Sequence, residues 1–135
     1  MLRSDILAKF HDHGVLPTAQ RMEVANVLLT KPQHLSAEQI IERLRKENCM
    51  VSKATVYNTL NLFEELGLIK ECLVDPERRF YDSTTEPHHH FYNADTGELS
   101  DIPVREVELK GLPSLPEGTE LQGAELIVRV RNTAS

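Results

Sequence analysis

The chain has 135 residues, 15 Lys+Arg against 21 Asp+Glu for a formal net charge of −6, and 2 cysteines. That length suits one ordinary domain or two very small lobes, and the acidity argues against binding nucleic acid through bulk charge. Cys49 and Cys72 form no CxxC pair, which excludes a disulfide framework or a thiolate zinc site; with no apolar run of about eighteen residues and no signal-like start, the chain reads as cytoplasmic without a membrane partner.

A first helix is expected over 5–11, ending near Gly14. Thr18 caps a second, with Met22, Ala25, Leu28 and Leu29 as its apolar stripe and Pro32 beyond its end. Ser36 and Gln39 make a capping box for a third, in which Ala37, Ile40, Ile41 and Leu44 recur at helical spacing up to Lys46. Ser52 caps a fourth, whose Val56, Leu60 and Phe63 face inward and which Gly67 terminates. Segments 68–74 and 78–82 read as strands joined at Asp75-Pro76. Helices followed by a hairpin give the layout of a winged helix-turn-helix domain over 1–82. Its fourth helix leaves Lys53, Thr55, Tyr57, Asn58 and Asn61 outside, a mixture of cation, hydroxyls and amides suited to phosphates and base edges. An ordinary solvated helix face has the same composition; Arg78 and Arg79 near the hairpin tip tilt the balance toward DNA.

Charge divides the chain. Residues 1–80 hold 11 basic and 11 acidic side chains, and residues 81–135 hold 4 and 10. The acidic part must therefore lie away from any DNA. A polar hinge is expected over 83–87, then short strands over 89–93, 98–102 and 106–109, with Asp95-Thr96-Gly97 turning between the first two. After a Gly/Pro-rich loop over 111–118, the alternation of Leu126, Val128 and Val130 with Ile127, Arg129 and Arg131 marks a last strand. So few residues in short strands cannot bury a core alone, so 88–135 is expected to be a dimerisation unit. The class is α+β, a winged-helix domain followed by a small α/β or mostly β domain.

His88-His89-His90 carries the chemistry. On an extended segment His88 and His90 share one face and His89 takes the other. Two imidazoles on one face can chelate a metal; a surface histidine tract, a tag remnant or a loop without ligand are the competing readings.

Leu16-Pro17-Thr18-Ala19-Gln20-Arg21, His34-Leu35-Ser36-Ala37-Glu38, Ala54-Thr55-Val56-Tyr57-Asn58-Thr59-Leu60, Glu65-Leu66-Gly67-Leu68-Ile69 and the triple histidine together resemble the ferric uptake regulator superfamily over roughly residues 5–102. The tail, from Leu112-Pro113-Ser114-Leu115-Pro116 to Val128-Arg129-Val130-Arg131, is similar to its iron response regulator branch. The resemblance implies a homodimeric regulator that binds a palindromic double-stranded DNA operator, with Arg21 joining Lys53, Thr55, Tyr57, Asn58, Arg78 and Arg79 at the DNA. It implies metal ligands at His34, Asp82, His88, His90 and Asp101, a set resembling that of the peroxide sensors.

Three imidazoles and two carboxylates without thiolate suit Fe2+ or Mn2+ and tolerate Zn2+. The superfamily's structural zinc is not expected, since Asn93 and Thr96 stand where its first CxxC pair would be. Haem at the triple histidine ranks below a simple ion, and a second metal or haem site using His89 and Glu108 ranks lower again. A non-haem metalloenzyme is the rival from another class. Five protein ligands leave it little room for substrate, and a metal buffer would leave the Tyr57-Asn58 face idle.

Overall fold

A computed structural model describes residues 3–75, 78–86 and 88–134. The chain forms two compact units, Met1–Thr85 and Glu86–Ser135.

In the first unit, α1 (Arg3–His13), α2 (Ala19–Leu28), α3 (Ala37–Lys46) and α4 (Lys53–Glu65) precede the hairpin of β2 (Lys70–Asp75) and β3 (Arg78–Asp82). Local chemistry sets the helix ends. Thr18 accepts the Arg21 N–H, Ser36 and Gln39 make the reciprocal capping box, and Ser52 accepts the Thr55 N–H. At the end of α4, Gly67 takes a φ of +82°, and the Gly67 and Leu68 N–H groups bond the Glu64 and Phe63 carbonyls at 3.0 and 2.8 Å. That Schellman closure is what turns the chain into the hairpin. It also shortens the expected strand: Leu68 and Ile69 are buried in the turn, and β2 starts at Lys70.

The helices bury one cluster around Phe10, Leu28, Ile40, Leu44, Leu60 and Phe63, with the Phe10 and Phe63 rings 5.5 Å apart. Two details of α2 differ from expectation. Val24 and Val27 occupy buried positions, and Met22 is only partly buried, because one helical turn N-terminal to Ala25 lies at the rim of the cluster. The Asp75-Pro76 turn falls outside the described residues.

A third strand was not legible in the sequence. β1 (His34–Ser36) pairs antiparallel with β3, giving the order β1-β3-β2. It is three residues long, too short for a period-2 pattern to register. Its pairing sets His34 opposite Asp82 and Leu35 opposite Tyr81.

In the second unit, β4 (His89–Asn93) lies between β5 (Leu99–Ile102), antiparallel, and β6 (Ile127–Val130), parallel. Asn93 Oδ1 accepts the Asp95 and Thr96 N–H groups at 2.9 and 3.1 Å, and Gly97 has a φ of +75°, which builds the expected turn. The expected strand over 106–109 does not form. Pro103, with no N–H to donate, ends β5, and Val104–Glu106 curls into a 3-10 turn closed by the Val107 N–H on the Val104 carbonyl at 3.2 Å. A parallel β6 needs a long crossover, and the stretch after this turn supplies it. Burial of the last strand's alternating residues is incomplete within one chain: Leu126 and Val128 are half-buried and Val130 is 37% exposed.

Candidate metal centre and nucleic-acid face

Cross-strand register builds two groups of ligand-type side chains, one in each unit. In the first, opposed positions on β1 and β3 bring His34 Nε2 to 3.2 Å from Asp82 Oδ2. Asp82 is 2% exposed, and its other oxygen, Oδ1, accepts the Thr84 N–H at 2.8 Å. Ser83 fastens the same corner: its N–H bonds the Gln33 carbonyl at 3.2 Å and its Oγ accepts the Gln33 N–H at 3.1 Å. Gln33 donates from Nε2 to the Val27 and Leu28 carbonyls at 2.8 and 3.0 Å. The residue before His34 is thereby tied to the end of α2. The Asp82-Ser83-Thr84 sequence is an Asx-turn signature that could have flagged this corner.

In the second unit, His90 faces Asp101 across the β4/β5 ladder, and His88, two residues earlier, shares its side of the chain. Asp101 Oδ1 lies 3.1 Å from His88 Nε2 and 3.5 Å from His90 Nε2, and the two imidazole centroids are 4.4 Å apart. One ligand atom from each of the three lies within 4.8 Å of the others. Both histidines are buried, and His88 Nδ1–H donates to the Glu86 carbonyl at 2.6 Å. That bond fixes the tautomer and leaves Nε2 as the coordinating atom.

His89 points elsewhere, as alternation requires. Its Nδ1 accepts the Leu126 N–H at 2.8 Å, which joins β4 to the start of β6. Glu108 is exposed and pairs with Lys110 at 3.5 Å. His89 is thus a buried structural acceptor and Glu108 a solvated surface carboxylate, which lends no support to the paired site expected of them. A porphyrin at the triple histidine gains no support from this arrangement, in which two rings face Asp101 and the third holds backbone.

The expected DNA residues divide more finely. On α4, Lys53, Tyr57 and Asn58 are exposed, whereas Thr55 is half-buried and its Oγ1 accepts the Ser52 hydroxyl at 2.9 Å. Arg21, also half-buried, donates to the Leu16 carbonyl at 2.7 Å, and it shares a depression with Thr18, Thr55, Asn58 and Asn61 between α2 and α4. On β3, Arg79 Nε pairs with Glu71 at 2.9 Å. The side chain of Arg78 lies outside the described residues. A residue that sequence reasoning missed is Glu38 at the start of α3, whose Oε1 accepts the Tyr57 hydroxyl at 2.8 Å. That bond, together with backbone N–H donation, holds the Glu38 carboxyl below the usual carboxylate range and raises the Tyr57 hydroxyl. Its partner lies in another helix, so no local motif could have revealed it.

The profile of the Ferric uptake regulator family matches residues 12–128. The chain belongs to that family. Among its relatives, the peroxide-responsive repressor PerR of Staphylococcus saprophyticus is 28% identical over 98 residues, spanning 73% of this chain and 66% of that protein's length, just under two thirds. The ferric uptake regulator of Pseudomonas aeruginosa, solved with manganese, is 26% identical with a TM-score of 0.70, covering 99% of this chain and all of that one. The Francisella tularensis ferric uptake regulator, solved with iron, shares the fold at a TM-score of 0.71 and 22% identity over 88% of this chain and 92% of that one. The placement in the iron response regulator branch gains no support from these three. No helix among the described residues is long and apolar enough to cross a membrane.

Proposed function

We propose that this member of the ferric uptake regulator family is a metal-responsive transcription regulator that binds a palindromic DNA operator as a cytoplasmic homodimer and has no enzymatic activity. The observation that carries the reading is the matched pair of ligand groups, His34 with Asp82 and His88 and His90 with Asp101, each held by strand register and backbone hydrogen bonds. Occupation of all five by one divalent ion would tie the DNA-reading unit to the second unit.

The donor set fits such an ion. Three imidazoles and two carboxylates offer N and O donors and enough charge for Fe2+ or Mn2+, with Zn2+ tolerated in vitro. Such an ion would be held by these five side chains and would act as a cross-link, and the chain's own residues do the rest. Asp82 and His88 are pre-oriented, α4 presents Lys53, Tyr57 and Asn58, and this reading assigns Arg21 and Arg79 to backbone phosphates. Metal affinity then becomes DNA affinity by linkage.

Domains in this reading are a winged-helix domain over 1–82, a connection over 83–87 and a dimerisation and sensing domain over 88–135. Iron, manganese or peroxide as the signal is a finer choice. The relationship to a peroxide-responsive repressor, together with a ligand set of histidines and aspartates, favours testing peroxide beside the metals. Footprinting the purified protein on genomic DNA with and without Mn(II) tests the regulator. Metal-dependent protection of a palindrome is expected, and that dependence should vanish in the His88→Ala/His90→Ala double variant. A metal response unchanged in that variant would assign the sensing site elsewhere.

A further inference from the structure

Glu38 stands on the first turn of α3, exposed, with its Oε1 on the Tyr57 hydroxyl at 2.8 Å. A surface carboxylate beside a helix that meets phosphates is electrostatically unfavourable for DNA affinity, so its presence there needs another reason. Tyr57 is a ring on one rotatable stem, 38% exposed, and without a tether it would sample several rotamers before meeting a base. The hydrogen bond from a phenol to an ionised carboxylate is of the strong, charge-assisted kind. Lys53 lies one helical turn before Tyr57 and lines the same shallow depression as Glu38, with Ile41, Glu42 and Arg45. Its charge adds to the forces that keep the Glu38 carboxyl ionised.

We propose that Glu38 is a specificity-determining positioning residue: it clamps the Tyr57 ring in one reading posture while its charge weakens binding to DNA of arbitrary sequence. This rests on the DNA-reading role proposed above for α4. Two effects are combined in one side chain, and they separate by substitution. Glu38→Gln keeps an oxygen that can accept the Tyr57 hydroxyl and removes the charge. Glu38→Ala removes both. Tyr57→Phe keeps the ring and the carboxylate and removes only the bond.

The test measures affinity, at one fixed salt concentration and Mn(II) level, for a duplex selected from random sequence by the wild-type protein and for a scrambled duplex of equal composition. In Glu38→Ala the ratio of the two affinities should fall about tenfold, the size of a lost charge-assisted bond, while affinity for the scrambled duplex rises. Glu38→Gln should raise affinity for both duplexes and keep most of the ratio. Tyr57→Phe should lower the ratio as Glu38→Ala does, and adding Glu38→Ala to it should lower the ratio no further. An undiminished ratio in Glu38→Ala, an equal loss in Glu38→Gln, or a full further loss in the Tyr57→Phe background would each overturn the proposal. Discrimination surviving in Glu38→Ala sinks this inference alone, whereas a wild-type protein that selects no duplex removes the DNA-reading role and this inference with it. Thermal melts identify a variant that fails to fold, and Tyr57→Phe, which deletes a single oxygen, then carries the decision.

Discussion

At the scale of single residues, the ligand-type side chains are constrained before any ion arrives. Asp82 gives one oxygen to the Thr84 N–H and His88 gives Nδ1 to the Glu86 carbonyl, so Asp82 Oδ2 and His88 Nε2 are turned in a fixed direction toward His34 and Asp101. A different economy operates at the base of the wing, where Glu64, Glu71 and Arg79 gather. Burial first, and then the neighbouring Glu71, push the Glu64 carboxyl up, with Arg79 opposing. A carboxyl whose folded-state value is raised contributes stability while protonated, fully so below its unfolded value of about 4.3, and loses that contribution as pH rises through the folded value. Glu64→Gln should therefore be more stable than wild type near pH 7, with the advantage shrinking toward about pH 4. Urea unfolding at both pH values checks this, and an advantage that does not grow with pH contradicts it.

At the scale of elements, the helices were legible because their signals are local. Thr18, Ser36 with Gln39, Ser52 and Gly67 announce ends that the chain then uses. Ser36→Ala removes both the cap of α3 and half of its capping box, and it should cost about 1 kcal/mol of stability in denaturant titration. A loss near zero would show that β1 pairing alone sets the start of that helix. What the sequence hid was non-local. β1 exists because β3 offers His34 to Ser36 a ladder, not because three residues carry a pattern. The strand expected over 106–109 failed for the opposite reason: its alternation is present, but Pro103 and the 3-10 turn leave it no partner. The five ligand positions came from family resemblance, whereas strand register supplies the physical reason that His34 meets Asp82 and His90 meets Asp101. Neither the Glu38–Tyr57 bond nor the role of Gln33 had a sequence signature.

At the scale of the whole molecule, the two units are built on different terms. The first owns the large apolar cluster, and the second buries chiefly Tyr92, Leu99 and Ile102 beside its three histidines while leaving Leu109, Leu112, Leu115 and Leu121 exposed. A unit so poor in core gains most from pairing with a second copy, which is why homodimerisation belongs to the proposed function. Charge is distributed to match, with the acidic excess confined to residues 81–135 and the neutral remainder carrying the helix proposed to read DNA. An ion held by both units would stabilise the folded chain in proportion to its binding, by about 2.7 kcal/mol at a hundredfold excess over Kd. A thermal melt should accordingly rise with added Mn(II) in wild type and stay flat in Asp82→Ala; equal shifts in both would separate the stabilising ion from these ligands.

Whether His34 and Asp82 share one ion with His88, His90 and Asp101, as proposed, can be read from Mn(II) binding followed by electron paramagnetic resonance. His34→Ala in the first unit and His90→Ala in the second should each abolish one common binding event, with one ion per chain in wild type and no further loss on combining the two substitutions. Retention of wild-type Mn(II) affinity in His34→Ala, or losses that simply add in the double variant, would mean that the two groups of ligands do not share an ion.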